Sequence, residues 1–413
     1  MEPIKRTVLV LSTVVFLVML GISIILPVLP LYAEYLGADV FLAGVLVGAL
    51  PAARVFVDLP AGSLGDRYGN PQMMRFGLVL IAVSSFAAAV AFNYVMLLIV
   101  RVLEGVGSAF YVTSSLATLA RTVPMEKRGR YMGFYVNLLL VGQVVGPVVG
   151  GAVNAAWGLR APFVAYGLAA TAGLAVVVLA LPRRNGRTGA KIEWRTAGHL
   201  LRDRSFVTVN LGSLAAFFMR GGIIATVLPF FILRNWGLSE VDTAITAGLL
   251  VTVMALSSMV TMYPSGWLAD RYGRKPTFVA SLVLMGLVVP LVYGTADLTA
   301  ALPVIALFGL VLGLHGPLAS WVTDLSPADA MGTAMGVYRT IGDAGFFVGS
   351  VLLGGLVDVT ATPQGGVSHW PFTVAAVWLI VSGLLLLTAR DPSGERARAR
   401  APALGTVDSR DPK

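Results

Sequence analysis

Apolar runs long enough to cross about 30 Å of hydrocarbon recur twelve times along the chain, each about 18–26 residues long. They begin near Thr7, Phe41, Arg75, Met96, Gly133, Pro162, Phe206, Thr243, Thr277, Thr299, Gly332 and Pro371. Polar positions gather in short intervals between them, so the pattern predicts an all-α membrane protein of twelve transmembrane helices. The first run follows Lys5 and Arg6 and is too long for a signal-peptide core. It leads into Leu31-Tyr32-Ala33-Glu34 with no small-residue cleavage site, and reads as a retained helix. The longest polar stretch, Arg183 to Ser205, splits the pattern into an N-terminal six-helix bundle (1–182), a cytoplasmic linker (183–205) and a C-terminal six-helix bundle (206–390). A charged, Pro/Ala-rich cytoplasmic tail (391–413) follows.

Composition agrees with this pattern. The chain is 57% hydrophobic and 12% charged, against roughly 45–50% and 25% in soluble domains, which excludes a soluble enzyme. With no cysteine and three histidines, disulfides, thiolate metal sites and cysteine nucleophiles are excluded, and neither a metal nor a cofactor is expected. No glycine-rich phosphate loop ending in Lys-Ser/Thr is present, so nothing points to ATP. The net charge of +9 raises nucleic acid as a partner, and the placement of the charges answers it. An even number of crossings puts both termini on one side. Of the 30 Lys and Arg residues, 24 fall on that side, four fall within spans, and the opposite loops hold only Arg160 and Arg234. This asymmetry makes the terminal side cytoplasmic and spreads the basic excess over short loops, leaving no folded basic domain for nucleic acid.

The halves repeat. Pro60, Gly62, Leu64, Asp66, Arg67, Tyr68 and Gly69 recur, at an offset of 204, as Pro264, Gly266, Leu268, Asp270, Arg271, Tyr272 and Gly273. Pro124, Gly129, Met132, Gly133, Tyr135, Gly142, Gly146 and Gly151 recur, at an offset of 203, as Pro327, Gly332, Met335, Gly336, Tyr338, Gly345, Gly349 and Gly354. Two blocks at nearly one offset imply parallel repeats about an axis along the membrane normal, the organisation of a rocking transporter with a cavity between its halves.

The stretch from Gly62 to Gly69, with its copy from Gly266 to Gly273 followed by Arg274 and Lys275, resembles the loop signature of the major facilitator superfamily. With helix count and linker, the resemblance covers essentially the whole chain. It implies the major facilitator fold, with two pseudo-symmetric six-helix bundles and both termini cytoplasmic. It also implies a cytoplasmic latch: Asp66 would meet the start of the eleventh helix near Gly332, and Asp270 the start of the fifth near Gly129, each accepting hydrogen bonds at a helix N-terminus. Asn70-Pro71 stands where basic residues are usual, making the first latch less cationic. The alternative is that these charges only serve the positive-inside rule.

A second stretch, Gly142, Gly146-Pro147 and Gly150-Gly151, resembles the motif of antiporters in the twelve-helix drug:proton branch. Its small residues at four-residue spacing also suit ordinary close packing. A third, Arg101 to Gly107, resembles the superfamily's intramembrane arginine motif, with Glu104 in place of the usual glutamine. Arg101 and Glu104 share a helix face and can neutralise each other, yet charges at that depth are functional candidates by default.

The remaining intramembrane charges are Arg54, Asp58, Arg220, Arg339 and Asp343, with His315 as a titratable group. At 1.5 Å per residue, Asp58 and Arg54 lie about 12 Å and 18 Å from Asp66, and Arg339 and Asp343 about 10 Å and 16 Å inside Gly332. Helices 2 and 11 face each other in the superfamily, so these depths allow crosswise pairs, Asp58 with Arg339 and Arg54 with Asp343. Intrahelical i, i+4 pairs are the alternative. Arg220 has no acidic neighbour in sequence and should border a water-filled cavity or meet an anion. Arg220, His315, Tyr111 and Phe217 are the candidates for a substrate cavity.

Together these features imply a secondary transporter in the cell membrane, with small molecules and protons as partners, working as a monomer by alternating access. Proton-coupled efflux of drug-like or amphiphilic compounds is expected. The alternative is a uniporter or symporter of metabolites, organic anions included.

Overall fold

The computed structural model describes residues 3–181, 198–316, 318–327 and 330–394. Most of the expected linker and tail therefore lies outside the described residues. The described chain is helical throughout, and twelve helices have the length and hydropathy to cross a bilayer. They are α1 (Pro3–Ile25), α2 (Val40–Tyr68), α3 (Asn70–Ala89), α4 (Tyr94–Thr122), α5 (Met125–Trp157) and α6 (Ala161–Ala180) in the first half. The second half contains α7 (Arg204–Asn235), α8 (Glu240–Tyr272), α9 (Arg274–Tyr293), α10 (Leu298–Asp324), α11 (Met331–Val359) and α12 (Trp370–Thr388). Each begins within five residues of the start expected from the apolar pattern except α5, whose helix starts eight residues early at Met125.

Local chemistry places the helix starts. Asp39 caps α2 through Leu42 N (2.8 Å), Asn93 caps α4 through Met96 N (2.8 Å), and Asp297 caps α10 through Ala300 N (2.8 Å). A cap of this kind stabilises a helix by about 1 kcal/mol. The repeated signature is helical up to its tyrosine, so Gly62 and Gly266 lie inside α2 and α8 and do not open a loop. Only Gly69 (φ 97°) and Gly273 (φ 99°) leave the helix, in the left-handed region where a side chain is strained. They form the tight α2–α3 and α8–α9 turns.

The halves meet chiefly along two helix pairs, α2 with α11 and α5 with α8, and α7 also touches the first half. These four helices carry the repeated sequence blocks, so the repeat supplies a two-fold seam. Close approach there depends on glycine. A Cβ on Gly44 would fall 2.1 Å from the Ser350 carbonyl oxygen, and one on Gly248 would fall 2.3 Å from that of Pro147. Small residues let backbones touch in this way and gain packing that lipid cannot supply.

Helix α7 contains a π-helical segment, Arg220–Val227. Pro229 has no N–H to donate to the turn before it, which favours widening there. The Thr226 hydroxyl donates to the Gly221 carbonyl at 2.9 Å inside the widened segment.

Candidate functional site

The seam carries charge where α2 crosses α11. Arg54 Nη2 lies 3.1 Å from Asp343 Oδ2, and Arg339 Nε lies 3.1 Å from Asp58 Oδ2. The structure thus adopts the crosswise arrangement: both contacts join one half to the other, and no i, i+4 pair forms within either helix. The four side chains are largely withdrawn from solvent, Asp343 at 10% and Asp58 at 13% exposure. Such pairs lose solvation on burial, and breaking one strands the partner's charge. Asp58 Oδ1 is buried without a hydrogen-bond partner.

In the first half, Arg101 Nη1 lies 2.6 Å from Glu104 Oε2, both fully enclosed. The hydroxyls of Tyr111 and Tyr166, also buried, have no hydrogen-bond partner, and neither has Glu104 Oε1. Tyr111 is thus part of the interior of its own half and not of a cavity wall. His315 is also withdrawn. Its ring packs on Phe278 with centroids 4.4 Å apart, and both ring nitrogens are buried and unpartnered. Phe217 packs its ring on Gly342 of α11, with a Cβ there 3.2 Å from Phe217 Cε2.

Arg220 differs from all of these. It is exposed, whereas Met219 before it and every residue from Gly221 to Phe231 after it are buried. An exposed side chain within an otherwise buried mid-membrane segment faces a space inside the bundle. No carboxylate pairs with it among the described residues, and the titratable groups near it are Tyr338 of α11 and His315 of α10.

The seam ends differently on its two sides. At the charge-poor end, Asp358 of α11 accepts hydrogen bonds from Phe41 N (2.7 Å) and Val40 N (3.3 Å), so one half caps the N-terminus of a helix of the other. Beside it, Arg234 Nη2 lies 2.9 Å from Glu34 Oε1, again across the halves. At the charge-rich end the seam is open among the described residues. Cβ atoms on Gly133, Gly266, Gly332 and Gly336 would meet nothing within 4 Å. There Asp66 pairs with Arg121, and Asp270 with Arg274 (2.8 Å), which also reaches Asp324 (3.2 Å). Neither expected latch, Asp66 to the start of α11 or Asp270 to the start of α5, is among the contacts of the described residues, and several of the side chains around Gly129 at the α5 start lie outside them. Each carboxylate meets an arginine of its own half instead. Arg67 and Arg271 lie over aromatic rings of their own helices, Tyr68 at 5.2 Å and Trp267 at 5.3 Å.

Asp391 ties the start of the tail to the α8–α9 turn. Burial alone would raise its carboxyl, but hydrogen bonds donated by Lys275 N (3.0 Å), the Ser393 hydroxyl (2.7 Å) and Gly394 N (3.1 Å) hold it below the usual carboxylate range. The glycines of the α5 motif divide by face. Gly142, Gly146 and Gly150 lie against α1, at Phe16, Ser23 and Ile24, while Gly151 and the Pro147 carbonyl lie against Ile245 and Gly248 of α8.

Asp358, the Glu34–Arg234 pair and Asp391 were not singled out in the sequence. Two of them act on backbone N–H groups, which any residue supplies.

Twelve membrane-crossing helices in two repeated halves, with ion pairs across the seam and an unpaired cation facing the interior, define a polytopic membrane transporter. The sequence profile of the Major Facilitator Superfamily matches residues 11–246 and 209–409, and the chain belongs to that family. It is a secondary transporter and an integral, multi-pass membrane protein. The chain is 25% identical over 395 residues to the uncharacterized MFS-type transporter MJ1560 of Methanocaldococcus jannaschii, covering 93% of this chain and 98% of that one. It is 24% identical over 374 residues to the quinolone resistance protein NorA of Staphylococcus aureus, covering 86% and 91%. The crystal structure of the nucleoside transporter NupG shares the fold, with a TM-score of 0.74 over 92% of this chain and 99% of that one at 14% identity.

Proposed function

We propose that the protein is a proton-coupled exporter of amphiphilic, drug-like compounds that works by alternating access as a monomer. Its charge-rich end and both termini face the cytoplasm. The observation that carries this reading is the pair of crosswise salt bridges, Arg54–Asp343 and Asp58–Arg339, at the crossing of α2 and α11. Protonating either carboxylate removes its attraction to an arginine of the other half, so proton binding and movement of the halves act on one contact. The likeness to a quinolone resistance protein supports export of drug-like compounds. Positive-inside asymmetry supports the orientation.

The alternative, a uniporter or symporter of small organic anions, is favoured by one observation, the unpaired Arg220 facing the interior. Inside-out vesicles with an imposed proton gradient and a quinolone as probe separate the two. A proton exporter accumulates the probe only with the gradient and releases vesicle protons when the probe is added. Gradient-independent equilibration of the probe would remove the coupling.

A further inference from the structure

The intramembrane charges do not balance. Arg101 is matched by Glu104, Arg54 by Asp343 and Arg339 by Asp58. Four arginines thus face three carboxylates, and the unmatched charge is that of Arg220. The membrane interior tolerates a cation of this kind only where water or an anion solvates it. Its placement is specific. Gly221 and Gly222 hold α7 against α11, where added Cβ atoms would fall 2.3 Å from the Phe346 carbonyl and 2.5 Å from Leu353. With the next two residues committed to α11, Arg220 at the head of the π-helical segment stays accessible inside the bundle, and π-helical turns of this kind are frequent at functional sites.

We infer that Arg220 is the seat for an anionic group of the transported compound, so that this transporter takes amphiphilic organic anions, carboxylates above all, in preference to cations. The inference rests on the transport reading above and names its substrate class. A guanidinium presents a planar fork of donors that matches a carboxylate in two-point fashion. A cationic compound meets a cavity with one excess positive charge and no free carboxylate at Arg220. The same guanidinium can also hold an inorganic anion, and chloride is the competing source.

The test uses three probes with one aromatic body: 1-naphthoate, its neutral amide 1-naphthamide, and the cation 1-naphthylmethylammonium. Binding to the full-length protein in lipid nanodiscs is measured by isothermal titration near neutral pH, in chloride and in gluconate buffers, with no gradient imposed. Wild type should bind naphthoate at least tenfold more tightly than either other probe, in both buffers. Arg220→Gln should lose that preference while still binding naphthamide as wild type does, which shows that it is folded. Arg220→Lys should restore part of it. Absence of naphthoate binding, equal binding of the three probes, or a preference that survives in Arg220→Gln would overturn the inference. Chloride binding at Arg220 with no discrimination among the probes would also overturn it, giving the seat to an inorganic anion. Because no gradient is used, a naphthoate preference without gradient-driven transport would remove proton coupling and leave the anion seat standing.

Discussion

The two ends of the seam contain similar chemistry and use it in opposite ways. At the charge-poor end, carboxylates reach across: Asp358 caps α2, and Glu34 meets Arg234. At the charge-rich end, Asp66 and Asp270 turn back to arginines of their own halves. Between them, the α2–α11 contact runs through Gly44, Gly48 and the crosswise pairs and ends after Asp58 and Arg339. A carboxylate at a helix end therefore reports which end is closed. Among the described residues, the seam is closed at the charge-poor end and open at the charge-rich one.

The most severe way to break this comparison is at the point where the helices part. Asp58→Ala should strand the Arg339 charge at a cost of about 3–5 kcal/mol and abolish transport in vesicles. The fourfold exchange Asp58→Arg, Arg339→Asp, Arg54→Asp and Asp343→Arg should recover more activity than any single variant. If it is as inactive as Asp58→Ala while reaching the membrane, the crosswise contacts do not govern transport.

Next come the carboxylates that change partner. In this state Asp66 and Asp270 have only local partners, so Asp66→Asn and Asp270→Asn should weaken the opposite state more than this one. Loss of one charge-assisted contact of about 1.5–3 kcal/mol shifts the population tenfold or more toward the state open at the charge-rich end. Spin labels at Ser63→Cys and Thr333→Cys, introduced into a chain without cysteine, should then show the long distance gaining weight. Unchanged distance distributions in both variants would remove the latch.

Weakening the closed end should move the same label pair the other way. Asp358→Ala deletes a cap that joins the halves, worth about 1 kcal/mol, and should enrich the short distance about fivefold. Arg234→Ala removes a partly exposed pair and should do so less, because such pairs contribute about 0–1 kcal/mol. A shift toward the long distance in either would contradict the assignment of this end as closed.

The smallest expected effect belongs to Asp391. Its carboxyl is held below the ordinary value in the folded chain, so its stabilisation is present at neutral pH and is lost as pH falls through the folded value. The α8–α9 turn should therefore exchange its amide protons faster under acid conditions. In Asp391→Asn the acid dependence should disappear.

Much of this was legible in the sequence for physical reasons. Hydropathy over a bilayer's thickness located all twelve spans. A fixed rise per residue put Asp58 level with Arg339, and Arg54 level with Asp343, leaving the choice between crosswise and intrahelical pairs to the structure. The pairing of Asp66 with Arg121 and of Asp270 with Arg274 was not legible, because a sequence does not say which of several nearby arginines a carboxylate meets. Nor was Asp358, whose partners are backbone groups. The burial of Tyr111 within its own half and the packing of His315 on Phe278 were not legible, because side-chain direction on a helix is set by packing that a single sequence does not give. The widened turn of α7 left only Pro229 and two glycines as a trace, too common in membrane helices to point to it.

The anion seat proposed at Arg220 carries a consequence for how voltage would act on the cycle. With an anion seated there, the intramembrane charges sum to zero, and the loaded protein reorients with no charge of its own to move through the field. Empty of substrate, it carries the positive charge of Arg220 and, on the return leg of a proton antiporter, the proton's charge as well, and the electrical work available is about 2.3 kcal/mol per elementary charge per 100 mV, scaled by the fraction of the field crossed. The membrane potential then bears on the empty return and is felt weakly by the loaded step. Clamping the voltage should accordingly change turnover when substrate is scarce, and change it little when substrate is saturating and release is slow.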